Sequence, residues 1–117
     1  MIRRAFVMRL KEGALDEYIQ HHDTIWEKWP ALVEEMKKSG IHSITTFEDF
    51  PNLFLFSEVE DETSWDKLWH SAIHDQWSAE AMNPLMFFRP DGIVESKDVR
   101  EIFHLEPFTG PSAGPKK

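Results

Sequence analysis

The apolar residues of this 117-residue chain change their spacing abruptly at Gly13, and that change limits the possible folds more than any other feature. Before the glycine, Ile2, Phe6, Met8 and Leu10 share one parity while Arg3, Ala5, Val7 and Arg9 hold the other, with Arg4 out of step. Side chains alternate across an extended strand, so this stretch predicts a β-strand with one apolar side. After the glycine, Leu15, Tyr18, Ile19, His22, Ile25, Trp26, Trp29, Leu32, Val33 and Met36 recur every three or four residues. That is the stripe of an amphipathic helix. Pro30 has no amide to donate, so the helix must bend or restart near Trp29; Gly40, following Lys37-Lys38-Ser39, marks its end.

The remaining segments repeat the contrast. Ile41 to Phe47 is rich in β-branched residues and predicts a second strand, Asp49-Phe50-Pro51-Asn52 is turn chemistry, and Leu53 to Val59 predicts a third. So short a connection makes these two antiparallel neighbours. Asp61 or Thr63 can open a second helix carrying Trp65, Leu68, Trp69, Ala72 and Ile73, and a further helical piece runs from about His74 to Met82, stopped by Asn83-Pro84. Pro90-Asp91-Gly92 is a turn, and Val99 to Leu105 predicts the last strand. The order β-α-β-β-α-β specifies an α+β fold of the ferredoxin-like kind: four antiparallel strands with helices on one face, in a single domain over residues 1–105. Residues 106–117, with three prolines and two glycines, are expected to be a mobile tail. The sheet face away from the helices needs a cover, and a second copy of the chain, packing sheet to sheet as a homodimer (a dimeric α+β barrel), is the expected one.

Charge and composition narrow the function classes. Twenty-one acidic side chains against 13 Lys and Arg leave a formal charge of −8, which repels nucleic-acid phosphates and anionic lipid heads. The chain contains no cysteine, so thiolate chemistry and sulfur-held metals are excluded. No apolar run approaches the roughly 20 residues of a membrane span, and a cytoplasmic protein is expected. No glycine-rich phosphate loop or GxSxG elbow occurs, leaving histidines, carboxylates and 15 aromatic residues as the candidates.

Tyr18 and His22 stand four apart, hence on one helix face, and both interrupt an apolar stripe. An imidazole near its ordinary pKa of about 6.5 can give or take a proton at neutral pH, and the one tyrosine can hydrogen-bond a polar ligand from an apolar wall; by spacing alone the simpler reading of both is as boundary residues with polar ends in water. His70 and His74 have the spacing of a shared metal, but lack an intervening glutamate and a third ligand, so no metal is assigned. His21 is expected in solvent, and His42 and His104 are expected as hydrogen-bonded strand residues. Trp26, Trp29, Trp65 and Trp69 fit helical stripes and are expected in the core. Trp77, beside Gln76 and Ser78, has a ring that could be partly exposed to stack on a sugar, although core packing is the simpler reading.

Taken in order, MIRRAFVMRL, EYIQHHDTIW, KKSGIH, PNLFLF, VEDETSW, DQW and REIFHL resemble the L-rhamnose mutarotases from Met1 to about Leu105, most specifically in the Tyr-x-x-x-His-x-x-x-Trp run of Tyr18, His22 and Trp26. The resemblance implies a dimeric ferredoxin-like enzyme without cofactor that interconverts the anomers of a 6-deoxyhexose. It places the catalytic proton donor at His22 and sugar-binding residues at Tyr18 and Trp77. Two further sugar-contacting positions fall on Ile44, where the family has a tyrosine, and Ser78, where it has a second tryptophan. The loop Asn83 to Gly92 is also longer and more apolar than the family's. These departures leave L-fucose open beside L-rhamnose as the substrate, and leave open a barrel of the monooxygenase type or a binding protein without catalysis.

Overall fold

The computed structural model describes residues 1–105; the expected tail at 106–117 lies outside the described residues. Four strands, β1 (Ile2–Arg9), β2 (Ile41–Asp49), β3 (Asn52–Val59) and β4 (Lys97–Val99), form one antiparallel sheet in the order β2-β3-β1-β4. Register follows parity. Phe6 faces Leu55 and Met8 faces Leu53, while on the other side of β3 Ile44 faces Ser57 and Thr46 faces Leu55. These residues therefore share one face, and the helices cover it. Arg4, the discordant residue, also belongs to that face. It does not enter the core: its guanidinium lies over the Phe6 ring at 4.9 Å and pairs with Asp98 of β4 at 2.8 Å, closing the core's edge.

The first helical stripe is broken twice, not once, into α1 (Leu15–Asp23), α2 (Ile25–Lys28) and α3 (Pro30–Ser39). The break at Trp29 is the expected one, with Pro30 in the first turn of α3, where its missing N–H costs nothing. The second, at Thr24, has a local cause: the Thr24 hydroxyl donates to the Gln20 carbonyl at 2.9 Å and competes with the helix ladder. Restarting there shifts the phase of the stripe. Ile25 is buried, but Trp26, expected in the core, is 71% exposed. Gly40 ends α3 with φ +97°, and a Cβ on it would stand 2.8 Å from the buried Ser64 Oγ, so both conformation and space require glycine.

The second helical region comprises α4 (Ser64–Trp69), α5 (Ala72–Trp77) and a π-turn (Ser78–Met82) closed by the Asn83 amide donating to the Ser78 carbonyl at 2.7 Å. The Ser71 hydroxyl caps α5 by accepting from the His74 amide. Phe6, Trp65 and Trp69 form an aromatic triangle with centroids 5.3–5.4 Å apart. The Trp65 indole N–H donates to Ser57 Oγ at 2.9 Å, and that hydroxyl donates onward to the Arg4 carbonyl at 2.8 Å.

The last strand corrects the expectation at 99–105. Pairing with β1 covers only Lys97–Val99, so β4 ends where the sequence expected it to begin. Beyond it, Glu101 is held to Arg3 by a two-pronged ion pair, but Ile102, Phe103 and Leu105 are 83%, 76% and 62% exposed. Without a surface to bury them, these side chains give no packing that would hold the ladder together.

Candidate active site

Between the helices and the sheet, the first helix face and the inner face of β2 enclose two adjoining cavities. The outer cleft has a volume of about 580 Å³ and runs between α1–α3 and β2, with Asp23, Lys37, His42 and Glu48 among its lining. The inner chamber, about 100 Å³, lies against the sheet, α4, α5 and the π-turn. Tyr18, His22, Met36, Ile44 and Thr46 line both. Three of the five residues singled out from the sequence thus stand on the shared wall, and Trp77 and Ser78 complete the chamber.

Helical spacing brings Tyr18 and His22 together, with ring centroids 4.1 Å apart. His22 Nδ1 lies 2.8 Å from the Tyr18 carbonyl. A carbonyl only accepts, so Nδ1 carries the proton, and in the neutral ring Nε2 holds a lone pair. Burial lowers the His22 pKa below its ordinary 6.5, against the raising effect of the Tyr18 carbonyl. The imidazole is therefore a neutral base at pH 7, a correction to the expected unperturbed group. Tyr18 is 7% exposed, not a boundary residue with its hydroxyl in water; burial pushes its phenol up to about 12, with an opposing hydrogen bond from Thr46, so the phenol remains protonated.

Trp77 is 5% exposed, so the simpler reading, core packing, is the one realised, and the ring is not partly exposed. The edge contacts explain this: its ring meets His22 at 5.4 Å and Trp29 at 5.3 Å, both near perpendicular. His21, expected in solvent, is partly covered by the Trp77 edge at 6.2 Å and lies 3.3 Å from Glu17. Ile44 presents a partly buried apolar side chain to both cavities, and Ser78 is buried. His42 lies 3.3 Å from Glu60 at the surface.

Two lining residues were missed by the sequence reading. Thr46 stands two places after Ile44, so strand alternation already puts it on the same face. His74, noted only as half of a metal spacing, lines the chamber with Nδ1 3.4 Å from Ser78 Oγ, while His70 is exposed and turned to the Asp66 carbonyl. Among the described residues no three His, Asp or Glu side chains converge as metal ligands.

The sequence profile of the L-rhamnose mutarotases matches residues 3–105. The chain belongs to that family. It is 35% identical to the L-rhamnose mutarotase of Oceanobacillus iheyensis over 91% of this chain and 100% of the relative, and 37% identical to that of Shouchella clausii over 90% and 99%. Among solved structures, the L-rhamnose mutarotase of Formosa agariphila superposes with a TM-score of 0.76 at 28% identity, covering 91% of this chain and all of that one. A dimeric ferredoxin-like protein from an uncultured marine organism matches with a TM-score of 0.57 at 12% identity, a likeness of fold alone. Membership of a mutarotase family makes the chain an isomerase. No helix among the described residues is long and apolar enough to cross a membrane.

Proposed function

We propose that this chain interconverts the α and β anomers of L-rhamnose, with His22 as its acid–base residue. Family membership and the names of its relatives support the sugar. The chemistry rests on a single observation: His22 lines both cavities with Nδ1 engaged and Nε2 carrying the lone pair. Nε2 takes the proton of the anomeric hydroxyl, the C1–O1 bond becomes a carbonyl, and the C1–O5 bond breaks. The imidazolium then returns the proton to O5. Both oxygens are bonded to C1, so one nitrogen reaches each in turn. Rotation about C1–C2 and the reverse steps close the ring on the other face. Atoms and electrons balance without a co-reactant, so the reaction requires no cofactor. Tyr18 and Ser78 offer hydroxyls to the sugar, Trp77 and Ile44 supply apolar walls, and the low pKa of His22 keeps it ready to accept.

Exchange NMR of L-rhamnose tests this reading. Wild-type protein is expected to give cross-peaks between the two anomers and His22→Ala to lose them; wild-type exchange retained in the variant overturns the role of His22. L-Fucose run in parallel decides the sugar, since faster exchange with it would displace L-rhamnose. Saturation transfer without exchange would mark a binding protein, and neither signal would point to a different, flat apolar substrate.

A homodimer is part of the same proposal. The sheet face away from the helices exposes Phe47, Phe54, Phe56 and Val99, and the segment after β4 adds Ile102, Phe103 and Leu105. An identical face turned against this one would bury them all. Sedimentation should give twice the chain mass, and Phe56→Asp should shift it to the monomer. The cytoplasmic location expected from the sequence is also proposed, and cell fractionation tests it.

A further inference from the structure

The chamber's polar lining falls into two groups. Tyr18, His22 and Thr46 come from α1 and β2; His74 and Ser78 come from α5 and the π-turn. His74, Trp77 and Ser78 stand at i, i+3 and i+4, so they project from one side of the helical segment. Trp77 in turn meets His22 edge-on at 5.4 Å. A pyranose with C1 at His22 in this chamber has Trp77 in its wall and the second group beside that ring.

We propose that His74 and Ser78 form a second, substrate-orienting subsite that binds ring hydroxyls remote from C1 and sets which 6-deoxyhexose is accepted. The pair is suited to this. Ser78 Oγ and His74 Nδ1 are 3.4 Å apart, so the hydroxyl and imidazole can exchange donor and acceptor roles to match a sugar oxygen. His74 Nε2 has no hydrogen bond with the described residues, which leaves a second polar atom for the ligand. Burial holds the ring's pKa at about 4, so it stays neutral and does not repel or trap charge in the chamber.

This inference rests on the mutarotase reading, and the test separates the two. Exchange rates are measured against sugar concentration for wild type, Ser78→Ala, His74→Phe and His74→Gln, with L-rhamnose and L-fucose. Ser78→Ala and His74→Phe should raise KM about 5- to 10-fold, the loss of one hydrogen bond, with kcat within about twofold. His74→Gln, which keeps a donor and an acceptor, should restore most of the affinity, and the ratio of the two sugars should change. Unaltered KM and sugar ratio in both Ser78→Ala and His74→Phe overturn the subsite while leaving mutarotation intact. A fall in kcat alone, with KM unchanged, also overturns it, because that would place the pair in proton transfer. Wild-type protein without exchange on either sugar brings down the mutarotase reading and the subsite together.

Discussion

Two aromatic clusters lie a few residues apart in this protein, and they use similar parts to opposite ends. In one, Phe6, Trp65 and Trp69 pack with one edge-to-face and two tilted contacts, and a polar chain closes on itself: the Trp65 N–H meets Ser57, and Ser57 meets the Arg4 carbonyl. In the other, Tyr18, His22, Trp29 and Trp77 pack with successive centroids 4.1–5.4 Å apart, yet His22 retains a nitrogen with no hydrogen bond among the described residues. His22 has one nitrogen tied to a carbonyl, and its side chain lines both cavities. A closed network gives rigidity because a lost partner leaves a buried polar group unpaired. An open one keeps hydrogen-bonding capacity for a ligand, at the cost of pKa values displaced by burial.

The contrast can be broken most sharply at His22. His22→Ala is expected to lower the anomer-exchange rate about 10²- to 10⁴-fold, with the circular dichroism spectrum unchanged. A comparable loss from Ser57→Ala at full folding would erase the distinction between the clusters. That variant is expected instead to lower stability by about 1–3 kcal/mol in urea, by orphaning the Trp65 N–H, while kcat and KM of the folded fraction stay the same.

Proton linkage sharpens the comparison. The folded pKa of His74, about 4, lies below the ordinary 6.5, so between those values the unfolded chain binds more protons and stability falls as pH falls. From pH 7.5 to 5 this group's share is about 2 kcal/mol, and it is complete only below pH 4. The urea midpoint of His74→Phe should therefore fall less over that range than that of wild type; equal slopes would show that the ring is solvated. His22 shifts in the same direction, and since its neutral form is the base, the acid limb of kcat/KM should have its midpoint below 6.5. A midpoint above that value would contradict the buried, neutral imidazole. The smallest effect is expected from Tyr18→Phe, about a fivefold rise in KM for the loss of one hydroxyl contact, read from the concentration dependence of exchange.

Much of this was legible in the chain. Period-two and period-3.6 stretches in the order β-α-β-β-α-β were enough for a four-stranded antiparallel sheet and its helix-covered face, because a half-buried strand and an amphipathic helix each have one way to hide their apolar side. Gly40 and Pro30 marked boundaries for covalent reasons that hold in any context. Spacing on one helix brought Tyr18 and His22 together before any tertiary contact was considered. The errors share a cause. Trp26 was misplaced because a threonine inside the stripe restarts the helix and turns the ring outward. The last strand was set too late because its apolar residues lie where one chain has no surface to bury them.

Local spacing thus determined the elements, their order, and the pairing of one phenol with one imidazole. Tertiary structure alone decided that Trp77 lies against His22, that Thr46 and His74 join the same chamber, and that burial lowers the His22 pKa. The reason is physical. Burial and the electrostatics it sets arise from residues distant in the chain meeting across a sheet, and a pKa depends on that whole surrounding rather than on its neighbours in sequence.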